Sequence, residues 1–154
     1  MKKIDTKPYG NRPRGIKMAP DGKSYVATIE HGNKLVVLDG DFNVTNAVAT
    51  GETPYGVAFN RSGTRLYVAL AKGKSLQVFD TANYQPIAEI STGERCWHFT
   101  FTPDDRQILL ACGRSNELVV IDTGTLEVTK RVANKGMPWG IVTYPKAYGS
   151  LDQP

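Results

Sequence analysis

"ETPYGVAFNRSGTRLYVALAKGKSLQVFDTANYQPIAEISTG", residues 52–93, decides the fold, because the chain states it three times. Residues 11–51 read "NRPRGIKMAPDGKSYVATIEHGNKLVVLDGDFNVTNAVATG", and residues 94–136 read "ERCWHFTFTPDDRQILLACGRSNELVVIDTGTLEVTKRVANKG". A fourth copy begins as "MPWGIVTYP", residues 137–145. Gly15, Gly56, His98 and Gly140 fall at one position of the repeat, and Asp39, Asp80 and Asp122 at another, always 41 or 42 residues apart. Each copy holds four short β-branched or aromatic runs. In the first they are "GIKMA", "SYVATI", "KLVVLD" and "TNAVAT", divided by "PDGK", "EHGN" and "DGDFN". Runs of that length between Gly, Asp, Asn and Pro are strand and turn signals. Four strands in ~40–45 residues make one β-propeller blade.

The recurring pieces "RPRGI", "APDGKSYVA", "LYVA", "VVIDT" and "MPWGI" resemble the YVTN family of β-propeller repeats over residues 7–145. The third copy with "MPWGIV" also resembles the terminal blades of periplasmic propellers associated with quinoprotein dehydrogenase systems. That resemblance implies export to the periplasm and a binding or accessory role. The opening "MKKIDTKPYGN" lacks the apolar stretch of a signal peptide, so the signal of an exported protein is expected to have been removed or to lie outside this sequence.

The expected fold is thus all-β, a single domain over 1–154 with blades at about 11–51, 52–93 and 94–136. Residues 1–7 are expected as an outer strand, and residues 137–145 as an inner strand, each without a blade of its own. Closed propellers have ~4–8 blades, because open edges leave backbone groups unpaired. A two-fold homodimer would give three full blades per chain and two shared blades, an eight-bladed ring, with the tail "KAYGSLDQP" adding a strand to each shared blade. The alternative is that these blades belong to a longer propeller.

The totals are those of a globular chain: 154 residues, 40% hydrophobic, 22% charged, net charge +4. No apolar run approaches the ~20 residues that span a bilayer, and the scattered basic residues do not form a nucleic-acid patch. Sorting the loops by face places Arg12, Arg14, Lys72, Lys74, Arg95, Arg114 and Lys135 at one mouth of the tunnel. The opposite loops are net acidic. Such a face draws anions, although uneven sharing of solvated charge gives the same pattern. The inner runs contain neither Asp nor Glu, so they offer no carboxylate pair for acid–base work and no acidic metal ligands.

Arg14, Tyr55, Trp97 and Trp139 share one repeat position. They form either an aromatic and cationic ring for a flat anion or packing wedges between blades. His98 replaces a glycine and reads either as a hydrogen-bonded structural imidazole or as a ligand, acid or base, with His31 on the same face. Cys96 faces away from Cys112 in a regular hairpin, and a one-residue bulge would join them in a disulfide. A metal site of Cys96, His98 and Cys112 is the weaker alternative, lacking a fourth ligand.

The function expected is therefore non-enzymatic binding, without a cofactor, of an anionic small molecule or acidic protein. The mouth residues are Arg12, Arg14, His31, Tyr55, Lys72, Arg95, Trp97, His98, Arg114 and Trp139. The second reading is a metal- or redox-cofactor-binding propeller enzyme using His98.

Overall fold

The computed structural model describes residues 4–147. Twelve strands make three separate four-stranded antiparallel sheets, each a meander of consecutive strands. Blade 1 is β1 (Pro13–Met18), β2 (Ser24–Ile29), β3 (Lys34–Asp39) and β4 (Val44–Ala49). Blade 2 is β5 (Pro54–Phe59), β6 (Arg65–Leu70), β7 (Ser75–Asp80) and β8 (Pro86–Ser91). Blade 3 is β9 (Cys96–Phe101), β10 (Gln107–Cys112), β11 (Glu117–Asp122) and β12 (Val128–Ala133). The innermost strands β1, β5 and β9 pack successively against one another, so the sheets fan out around one line as propeller blades do.

Local chemistry repeats with the blades. The turn after each inner strand closes through Gly22, Gly63 or Asp105, whose amide donates to the carbonyl of Ala19, Asn60 or Thr102. The turn after each third strand is held by Asp39, Asp80 or Asp122, whose Oδ1 accepts from backbone amides two to four residues on. Backbone bonds from Gly124 and Thr125 hold the Asp122 carboxyl below its ordinary pKa. Left-handed backbone recurs at Arg12, Thr53, Arg95 and Met137, one residue before each inner segment.

Two cores join the blades. Val26, Leu35 and Val37 of blade 1 meet Val57, Phe59, Leu66, Val68, Leu70 and Phe79 of blade 2. Tyr67, Ala69, Leu76 and Val78 on the other side of blade 2 meet Phe99, Phe101, Ile108, Leu110, Val119 and Ile121 of blade 3. Blades 2 and 3 are also clamped at the acidic face, where Arg61 Nη2 donates to the Pro103 carbonyl and Arg65 Nη1 to that of Thr123.

The flanking segments depart from expectation. No strand forms in the described part of residues 1–7. Lys7–Tyr9 is a short 3-10 turn with proline at its start, and Ile4 and Tyr9 pack on Ala27, Ile29, Val36 and Leu38 of blade 1. Pro8 supplies no N–H, and no neighbouring strand is present to pair with. Residues 137–145 likewise form no ladder, because an inner strand pairs only with the second strand of its own blade. The Thr143 hydroxyl there is buried without a hydrogen-bond partner, alone in this among the described residues. Of the tail, Ala147 is buried against the core of blades 2 and 3, and residues 148–154 lie outside the described residues. Among the described residues no helix is long and apolar enough to cross a membrane.

Candidate functional site

Every inner strand carries the same bulge. Arg14 and Gly15 oppose Thr28, Tyr55 and Gly56 oppose Ala69, and Trp97 and His98 oppose Ala111. One extra residue bends the strand and re-aims its side chains toward the mouth. Beside the bulge the cross-strand pair is Pro13–Ile29 in blade 1, Pro54–Leu70 in blade 2 and Cys96–Cys112 in blade 3. The bulge brings the two sulfurs face to face, and they are joined in a disulfide whose cysteines are both fully buried. Neither sulfur is therefore a thiolate, which removes the metal site of Cys96, His98 and Cys112. No cluster of metal-ligating side chains occurs among the described residues.

The residues sharing a repeat position pair by stacking. The Arg14 guanidinium lies 4.8 Å from the centre of the Tyr55 ring. Trp97 and Trp139 stack with ring centres 4.1 Å apart and planes 11° from parallel. Trp97 is buried and works as packing, while Trp139 remains 59% exposed and offers its outer face to solvent.

His98 occupies a place where blades 1 and 2 require glycine. A Cβ on Gly15 would stand 2.8 Å from the Tyr55 carbonyl oxygen, and one on Gly56 2.7 Å from that of Trp97. Close approach of successive inner strands excludes any side chain there. At His98 the following segment stands off, and the imidazole fills the gap: Nδ1 accepts the Ile141 N–H at 3.4 Å. Burial of part of the ring, and secondarily the Lys17 ammonium, lower the His98 pKa below its ordinary value. Neutral imidazole is the form that can accept this bond.

The carboxylate absent from the inner runs enters from a loop. Glu30, at the end of β2, is nearly buried and receives the Arg14 Nε–H. Arg12 lies 3.8 Å and His31 3.9 Å from its other oxygen. The bond to Glu30 raises the Arg14 pKa further. Three of the expected anion-binding residues thus converge on an internal acid. Sequence spacing alone conceals this, because Glu30 belongs to a turn and only the fold turns it inward. Lys72 lies 3.6 Å from Glu52, and Lys74 donates to Glu94.

Arg95 and Arg114 lie in the loops next to Trp97, and neither makes a side-chain hydrogen bond or ion pair within 4 Å among the described residues. Backbone bonds from Gly113 to Arg95 and from Arg114 to Glu94 fix both at the mouth. The structure thus brings together Trp97 and His98 of blade 3 with Trp139 of the segment that follows it, Arg95 and Arg114 lying in the adjoining loops, and groups Arg12, Arg14, His31 and Tyr55 on blades 1 and 2, with Lys72 paired to Glu52. Grooves on the opposite face are lined by Arg61, Arg65, Asp105 and Thr123, groups already engaged in the clamp between blades.

No protein-family model and no curated protein matches the chain. Solved structures do. Hydrazine synthase of Kuenenia stuttgartiensis is 30% identical with a TM-score of 0.78, matching 83% of this chain and 38% of that one. A 6-phosphogluconolactonase-like protein of Bacteroides uniformis is 22% identical with a TM-score of 0.72, over 82% of this chain and 42% of that one. A protein of unknown function from Desulfotomaculum acetoxidans is 21% identical with a TM-score of 0.68, over 83% and 46%. The chain spans less than half the length of each, and the two likenesses at lower identity establish the propeller fold alone.

Proposed function

We propose that this chain is part of a non-enzymatic β-propeller that binds an anionic small molecule, or an acidic surface on a partner protein, at the disulfide-braced mouth. One observation carries the reading: Trp139 rests on Trp97 and is 59% exposed, at the mouth whose adjoining loops carry Arg95 and Arg114. A flat anion stacks on such a face while guanidinium groups meet its charge. Glu30 narrows the site, because it offsets one of the two guanidinium charges on the Arg12 and Arg14 side of the mouth. The ring around the mouth is closed by a second copy of the chain, giving eight blades. The buried disulfide supports an oxidising compartment such as the periplasm.

Titration with 2-naphthalenesulfonate, followed by tryptophan fluorescence, tests the site. Saturable quenching that weakens as salt rises, and is lost in Trp139→Ala, is the expected result. An equal response to neutral 2-naphthol would sink the anion reading.

The likeness to hydrazine synthase favours a second reading, in which these blades serve a cofactor-carrying enzyme through His98. Stoichiometric metal or a visible chromophore in the purified protein would support it over the first.

A further inference from the structure

We infer that the inner edge of blade 1 is a docking seam for the C-terminal inner segment, residues 139–144, of a second copy of this chain. This rests on the reading that a second copy closes the ring, and it names the surfaces that meet.

The repeat supplies its own control. Val57 and Phe59 of β5 are 5% and 9% exposed because blade 1 covers them, and Phe99 and Phe101 of β9 are 6% and 3% exposed because blade 2 does. The same positions of β1 are Ile16 and Met18, which are 51% and 55% exposed. Farther from the axis the same side of blade 1 is closed, since Ile4 and Tyr9 cover Ala27, Ile29, Val36 and Leu38. What blade 1 lacks is a neighbour of inner-strand width only.

The other end of the chain offers that piece. Residues 139–144 touch blade 3 through Trp97 and His98, and their far side is open, with Val142 and Tyr144 79% and 97% exposed. Gly140 gives the second, independent mark. Gly15 and Gly56 each meet the carbonyl oxygen of the residue just before the same position in the next repeat, Tyr55 before Gly56 and Trp97 before His98, whereas the nearest atom to a Cβ on Gly140 is 3.8 Å away, within its own chain. A close-approach glycine is present without the strand it approaches. Continuing the pattern, Gly140 packs on the Arg14 carbonyl of the second copy, as Gly15 packs on that of Tyr55. Each copy gives one segment and receives one, so the contact closes by two-fold symmetry.

The test is absolute mass in solution by light scattering on a size-exclusion column, over a dilution series of the full chain. Wild type is expected at two chains. Gly140→Val and Met18→Glu are each expected at one chain with an unchanged far-UV spectrum, and the control Ile87→Glu, on the outer strand β8, at two. Two seam variants at distant places guard against one of them failing to fold. Wild type at one chain throughout would overturn both the seam and closure by a second copy. Wild type and both seam variants at two chains would overturn the seam while leaving closure by a second copy standing.

Discussion

His98 stands where its equivalents are glycines, and its neutral ring holds the Ile141 amide. Its pKa is lowered in the folded chain, so the folded state binds the proton more weakly than the unfolded chain. The stabilisation is therefore complete above the unfolded value of about 6.5 and is lost as pH falls through the folded value. Wild type should lose more stability between pH 7 and pH 5 than His98→Gln does, measured by urea unfolding at each pH. Identical profiles would show that burial and Lys17 leave the proton affinity of His98 unchanged on folding. The glycines at the same position act oppositely. Gly56→Ala drives a Cβ to 2.7 Å from the Trp97 carbonyl oxygen, a backbone atom that cannot turn aside, and should cost about 1–3 kcal/mol. Gly140→Ala has nothing within 3.8 Å and should leave the chain's own unfolding free energy within roughly 0.5 kcal/mol. Denaturant midpoints of the two variants check the difference. At Glu30, the Gln variant weakens the bond that holds Arg14. A loss of about 1.5–3 kcal/mol is expected, together with tighter binding of 2-naphthalenesulfonate as the mouth becomes more basic. Unchanged affinity would mean that Arg14 lies outside the anion's reach.

At the scale of a strand pair, the disulfide substitutes for the Pro–apolar contact that blades 1 and 2 use beside their bulges. It bridges residues 16 apart in sequence, a loop for which chain-entropy estimates give ~3 kcal/mol. Replacing both Cys96 and Cys112 by Ala should cost about 2–4 kcal/mol, read from the guanidinium midpoint. It should also loosen the Trp97–Trp139 stack, read from near-ultraviolet circular dichroism. A stable double variant with the wild-type near-ultraviolet spectrum would show that the bulge holds without its cross-link. The blades themselves were legible because turn residues and β-branched runs recur in phase. Pairing of Cys96 with Cys112 hung on one extra residue, since a regular ladder sends them to opposite faces, and only comparison among the three bulges explains why the extra residue is always there. Residues 1–7 and 137–145 carry strand-like sequence, but a strand is a relation between two segments, and among the described residues neither stretch has a ladder partner. Glu30 was overlooked because loop residues have no period from which to read direction.

For the whole molecule, exposure of Ile16, Met18, Trp139, Val142 and Tyr144 at the two ends of the fan has a thermodynamic consequence. Two internal cores stabilise the blades irrespective of concentration, whereas the end faces gain nothing until a partner covers them. If unfolding is coupled to dissociation, mass action makes the midpoint depend on concentration. A tenfold rise in protein adds about 1.4 kcal/mol to the associated state, which for a particle of this size moves Tm upward by roughly 1–3 °C. The slope should vanish in Gly140→Val, whose midpoint should coincide with that of wild type at high dilution, because the substitution faces open space within its own chain. Differential scanning calorimetry over a hundredfold range of concentration reads both. A wild-type midpoint independent of concentration would mean that the blades unfold without a partner to release. The mouth would then be an open arc of aromatic and basic side chains rather than a rim, and any anion would meet Trp139 from one side only.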